Sequence, residues 1–314
     1  MKSKIKTYDI GLFLTKFVFL FFIFYFMNFD RSFNIDYGNY ELNYNRDWNQ
    51  FEFGFELISD IFKQFNLSFS SFWVFILVCE LVLISILYRN NIAFILAFPN
   101  LMFLSQGLLG TQVRFGLAIC LFLVIFSFCF KKRLFWLWGA VAILFHNAVI
   151  IFYLLALVSK HFFSPFGKLV KKSNAYKLII FIVSAIAVSF IVDKILISAG
   201  YYYYVGTKYQ EGRSLIAMVY MLFSLAVIGL LICFSISGEY SEYLYFSFLM
   251  LCSALIFSQF SVISGRINLV YTLIEPFVMY YFYVRFGKKI SVFPLFVMYC
   301  VLCFSKLITL SLII

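Results

Sequence analysis

The chain is 314 residues long, 64% hydrophobic, 23% aromatic and 12% charged, with a formal net charge of +11. Soluble domains are about a quarter charged, so this composition excludes one and reads as an all-α polytopic membrane protein. The cations sit in short loops beside apolar runs, where they orient spans rather than bind nucleic acid.

In chain order, Lys2, Lys4 and Lys6 precede an apolar run from about Ile10 to Phe29. That run exceeds the ~7–15-residue core of a cleavable signal, which predicts an uncleaved first span with its N-terminus cytoplasmic. Residues 30–68 are polar and acidic: Asp30, Asp36, Glu41, Asp47, Glu52, Glu56 and Asp60 outnumber Arg31, Arg46 and Lys63. This segment is expected to be an extracytoplasmic loop. Its second half places Phe51, Phe55, Ile58, Ile61, Phe62 and Phe65 at helical spacing. That pattern predicts an amphipathic helix on the outer surface, ended by Asn66 or Ser68.

Spans are expected next at Phe69–Leu87, from Ile92 to Leu104 or beyond, and at Arg114–Phe130. A single span over Leu134–Val158 would place eight cations outside: Lys160, Lys168, Lys171, Lys172, Lys177, Arg285, Lys288 and Lys289. Positive loops belong inside. A hairpin that rises over Leu134–Phe145, turns at His146-Asn147 and returns over Asn147–Val158 restores the rule. Each arm is roughly 18 Å by helical rise, enough to pass the midplane but not to cross. Later spans are expected at Leu178–Ser198, Ser214–Phe234, Tyr243–Ile263, Ile267–Val284 and Ile290–Ile314. The sum is about nine full spans plus the re-entrant or broken hairpin, or nine to eleven transmembrane helices. They form one transmembrane domain over 1–314, with the C-terminus outside.

The chemistry separates by side. Spans entering from outside begin near Thr111, Ser214 and Ser264, with Arg114, Arg213 and Arg266 in or beside their first turns. A cation there opposes the positive end of the helix dipole at about 0.3–1 kcal/mol. Three such placements call for an anion, and guanidinium forks with free helical N–H groups suit a diphosphate. Each alone is equally an interfacial anchor. His146 is read as lining the hairpin turn, against the common case of a hydrogen-bonded structural histidine; His161 is read as interfacial. Glu80 and Glu275 are expected to pair with the arginines or with each other, most simply as structural locks. The run Tyr201–Tyr204 reads first as an outer-boundary anchor and second as a sugar-stacking platform. Two histidines on opposite sides and one CxxC inside an apolar run (Cys300, Cys303) make no zinc site. No nucleotide-binding or nucleophile-elbow motif is present, so neither cofactor nor metal is expected.

Several short motifs resemble the EpsG family of Wzy-type bacterial polysaccharide polymerases. They are Asp36-Tyr37-Gly38-Asn39-Tyr40, the ExGFxL of Glu52 to Leu57, Arg114-Phe115-Gly116-Leu117-Ala118, the FHNA of Phe145 to Ala148, and Arg266. The resemblance covers roughly Asp36 to Tyr271. Where the family usually has Gln after the first arginine and often Pro after the glutamate, this chain has Phe115 and Phe53. The resemblance implies a fold like the GT-C-type integral membrane glycosyltransferases. It also implies a polymerase that joins undecaprenyl-diphosphate-linked repeat units into O-antigen, capsule or exopolysaccharide at the outer face of the bacterial inner membrane. The implied partners are that lipid-linked glycan, membrane lipid, a chain-length regulator and a flippase, with no nucleic acid. Arg114, Arg266 and Arg213 would hold the diphosphate. His146, Asp36 or Glu52 would take the acceptor proton, with His146 preferred. An O-antigen ligase or other lipid-linked-sugar glycosyltransferase, and a non-enzymatic flippase, are the rival readings.

Overall fold

A computed structural model describes residues 2–29, 34, 36–46, 48–163, 174–198, 200–207, 210, 215–234, 241–286 and 293–305. Among these the fold is helical without strands, the architecture of an all-α polytopic membrane protein. Among the described residues four helices are at least 18 residues long and apolar enough to cross a membrane, and a bent pair makes a fifth such span. The other expected spans are apolar helices of 10–17 described residues. The chain divides into two compact units, residues up to Leu154 and residues Leu155–Cys303.

In the first unit, α1 (Lys2–Met27) packs beside α5 (Asn91–Leu104), whose last turn widens into a π-helix at Ser105–Leu109. Between them in sequence come α2 (Tyr37–Arg46), α3 (Phe53–Gln64) and α4 (Phe69–Leu87), and α6 (Val113–Cys129) follows. The spans alternate in direction. Lys16 Nζ donates to the last carbonyls of α4, Ser85 O at 2.9 Å and Tyr88 O at 3.1 Å, a basic cap on a helix C-terminus. At the opposite end, a Cβ on Gly110 would meet Met27 O at 2.7 Å.

The expected hairpin is present. The first arm is α7 (Phe135–Val141) with a 3-10 turn at Ala142–Leu144, and the second is α8 (Val149–Phe163). Tyr153 lies against Gly139 and donates to Trp136 O at 2.6 Å, which brings the second arm back along the first. Phe135 packs among Phe122, Phe126 and Phe130 near the end of α6, while His146 reaches Phe115 near its start, with ring centroids 5.2 Å apart. The turn therefore lies level with the first turns of α6. It is roofed by α3, where a Cβ on Gly54 would stand 3.0 Å from Leu144 O. Irregular backbone at that depth needs such protein cover.

The second unit opens with α9 (Asn174–Ser189) and α10 (Val192–Ser198), bent by 65° where a straight span was expected. Helices α11 (Leu215–Phe234), α12 (Ser241–Ile256), α13 (Ser261–Phe286) and α14 (Phe293–Phe304) follow. The α12–α13 turn comes earlier than predicted. Buried Phe260 fills it, and Ser264 Oγ donates to Ala254 O at 2.8 Å. Tyr243 stacks on Phe277 with centroids 4.4 Å apart, and the hydroxyls of Tyr271 and Tyr299 meet at 3.0 Å.

Candidate functional site: a carboxylate held by an arginine and the hairpin turn

The loop before α4 is a folded cap. Asn34 starts it: its Oδ1 accepts from the N–H groups of Asp36 and Tyr37, both at 3.2 Å, and its Nδ2 donates to Gly110 O at 2.8 Å. That is helix capping, and it also ties α2 to the end of the π-helix. Tyr37, Tyr40 and Tyr44 then fall on one face and meet Phe69, Phe72 and Trp73 of α4. Helix α3 joins through buried Glu56, whose Oε1 accepts from Asn43 Nδ2 and Phe51 N at 2.9 Å each. Asn66, at φ 51°, turns the chain out of α3, and Ser68 caps α4.

The face that α3 buries differs from the one its apolar spacing predicts. Gly54, Phe55, Glu56 and Ser59 face inward, while Phe53, Leu57, Ile61 and Phe65 are exposed. A buried carboxylate with two donors fixes the rotation, and the outward apolar stripe suits a membrane interface.

At the start of α3 the cap meets α6 and the hairpin turn. Glu52 Oε2 accepts from Arg114 Nη1 at 2.5 Å, and Glu52 Oε1 accepts from Asn147 N at 3.2 Å. Arg114 is in the first turn of α6, as expected, and the anion its position calls for comes from the chain itself. The guanidinium lies over the Phe51 ring at 3.9 Å and near Tyr40 at 5.6 Å, a cation–π enclosure. Its Nε is buried without a hydrogen-bond partner. Burial pushes the Tyr40 phenol up, while the Arg114 charge draws it down.

His146 adjoins this pair through the turn, and its Nδ1 accepts from Ala148 N at 3.1 Å. In the neutral ring the proton then resides on Nε2, a tautomer assigned from this bond. Asp36 immediately precedes α2, with its carbonyl accepting from Tyr40 N at 3.1 Å and its charge acting on the Tyr40 phenol. Three of the sequence candidates, Arg114, Glu52 and His146, thus come together, with Asp36 reaching them through Tyr40.

Other candidates fall elsewhere. Arg213 lies outside the described residues. Arg266 is in the second turn of α13, because that helix begins at Ser261, so the helix-terminus argument does not reach it. Its charge instead acts on Tyr203. Glu80 is fully buried with neither oxygen hydrogen-bonded, and Glu275 accepts from Tyr220. Asn147 was missed because its contribution is a main-chain N–H, which no residue pattern reveals. Tyr40 was legible only as a motif member, and Phe51 only as part of the apolar helical stripe.

The fold and the cluster define a class: a multi-pass membrane protein whose cap holds an arginine against a carboxylate and a hairpin turn. The sequence matches the EpsG family over residues 14–313, and the chain belongs to that family, whose members are Wzy-like polysaccharide polymerases. No curated protein and no solved structure matches it.

Proposed function

We propose that this chain polymerises undecaprenyl-diphosphate-linked repeat units at the outer face of the bacterial inner membrane, with chemistry at the Arg114–Glu52–Asn147 cluster. One observation carries the reading: in a polymerase-family chain, a carboxylate is gripped by a guanidinium and a main-chain N–H, the donor set that holds phosphate oxygens. The donor's diphosphate takes the place of Glu52 on Arg114. The released carboxylate accepts the proton of the acceptor hydroxyl as its oxygen bonds to the anomeric carbon. The bond from that carbon to the phosphate oxygen breaks, and the electron pair stays on the diphosphate, where Arg114 stabilises it. His146 serves as an Nε2–H donor, since its Nδ1 lone pair is already engaged.

The test is deletion followed by complementation, read on a surface-polysaccharide ladder. Deletion should leave single repeats, and wild-type chain should restore the ladder. Arg114→Lys keeps the charge but loses the fork, so it should restore only short products at normal protein level. A full ladder with Arg114→Lys would end the diphosphate assignment. Loss of all repeats on deletion would point to a ligase or a flippase.

A further inference from the structure

A second feature is built in the other unit. The segment after α10 is a short 3-10 turn, Tyr202–Tyr204, bracketed by two glycines in the left-handed region, Gly200 at φ 84° and Gly206 at φ 71°. A side chain is strained in such backbone, so both bends are specified by sequence. The turn is pinned throughout. Tyr201 N donates to Leu196 O at 2.8 Å, Val205 N to Tyr202 O at 3.1 Å, and Thr207 Oγ1 to Tyr203 O at 2.9 Å. Gln210 Oε1 accepts from Gly206 N at 2.5 Å. Beneath, Tyr204 and Val205 pack on a buried cluster of Val192, Leu196 and Phe260.

This anchoring leaves Tyr201, Tyr202 and Tyr203 50%, 72% and 46% exposed. Around them stand groups suited to hydroxyls. Gln210 Nε2 donates to Asp193 Oδ2 at 3.2 Å, Asp193 Oδ1 is buried without a partner, and the Arg266 charge acts on Tyr203.

We propose that the Tyr201–Tyr203 turn is a saccharide-binding subsite. A pyranose has an apolar C–H face that lies on an aromatic ring and an equatorial rim of hydroxyls. Exposed phenol rings present the matching surface, their hydroxyls and the second N–H of the Gln210 amide offer acceptors and donors at its edge, and the Arg266 charge acts on the same turn. The turn is held in place before any ligand arrives, which lowers the ordering cost of binding. The occupant is the glycan part of the lipid-linked substrate or of the growing chain, and this identification rests on the polymerase reading.

The probe is the water-soluble oligosaccharide released by mild acid from the producing cell's lipid-linked repeats. Binding to purified full-length protein in detergent is read by saturation transfer from protein to sugar protons. Wild type should give saturable transfer. Tyr202→Ala should weaken it at least tenfold, while Tyr202→Trp retains it. Tyr202 is mostly exposed, so folding is not at stake, and Arg114→Lys should leave this binding unchanged. Absence of transfer to wild type, or equal transfer to Tyr202→Ala, overturns the subsite. Saccharide binding that survives together with normal polymerisation by Arg114→Lys would overturn the diphosphate reading and leave the subsite standing.

Discussion

Arg114 and Arg266 occupy opposite kinds of setting. Arg114 is enclosed by Phe51 and Tyr40 and already bound to a carboxylate; Arg266 borders an exposed tyrosine turn on a pinned segment. On the two proposals, the first would exchange its carboxylate for another anion and the second would stand at the edge of a stacking surface, so two arginines that look equivalent by position in the sequence would hold a compact anion in one case and a broad polar ring in the other.

The largest effect that would break this contrast is at Arg114. Arg114→Ala should cut polymerisation by about 10²–10³-fold, the usual loss of a donor aimed at developing charge, whereas Arg266→Ala should cost no more than about tenfold, as for loss of one binding contact. Equal losses, measured as ladder length at matched protein level, would erase the distinction. Next comes Glu52→Gln. It should lower turnover by about 10²-fold, as for loss of a general base, yet bind inorganic pyrophosphate more tightly than wild type because a competing anion is gone. Weaker pyrophosphate binding would make Glu52 a structural partner only.

A smaller effect concerns the cap. Glu56→Ala removes the acceptor of two donors, Asn43 Nδ2 and Phe51 N, at a cost of about 1–3 kcal/mol for groups left unsatisfied. A lower melting temperature should be accompanied by partial loss of activity, since Phe51 carries the ring over Arg114. The smallest effect is pH. The hydrogen bond with Tyr204 raises the Tyr203 phenol to about 12. The folded form keeps its proton where a free phenol, at 10.0, would lose it. Saccharide binding should therefore stay level below the free-phenol value and decline only toward about 12. A decline near neutrality would place a different group in the subsite.

The sequence was most legible where one physical constraint dominates. Phe69–Leu87 is a span because only a helix satisfies its backbone in lipid, and its ends coincide with those expected. The hairpin followed from the distribution of eight cations. The rotation of α3 was hidden because its determinant, Glu56, finds its partner Asn43 thirteen residues earlier. Arg114 and Glu52 are 62 residues apart. Both were legible as candidates, but their contact depends on the docking of a whole cap.

The Asn147 contact sets how this site can drift. A main-chain N–H is supplied by every residue except proline, so the hairpin's contribution survives nearly any exchange at position 147. Glu52 and Arg114, which act through side chains, have no such latitude. Their immediate followers do: Phe53 opens α3 with its side chain 68% exposed, and Phe115 serves as a ring surface for His146 and Phe152. Phe53 and Phe115 thus stand next to Glu52 and Arg114 as apolar side chains that can neither donate nor accept a hydrogen bond. A search for distant members should weight the glutamate, the arginine and the absence of proline at the turn above the residues that adjoin them.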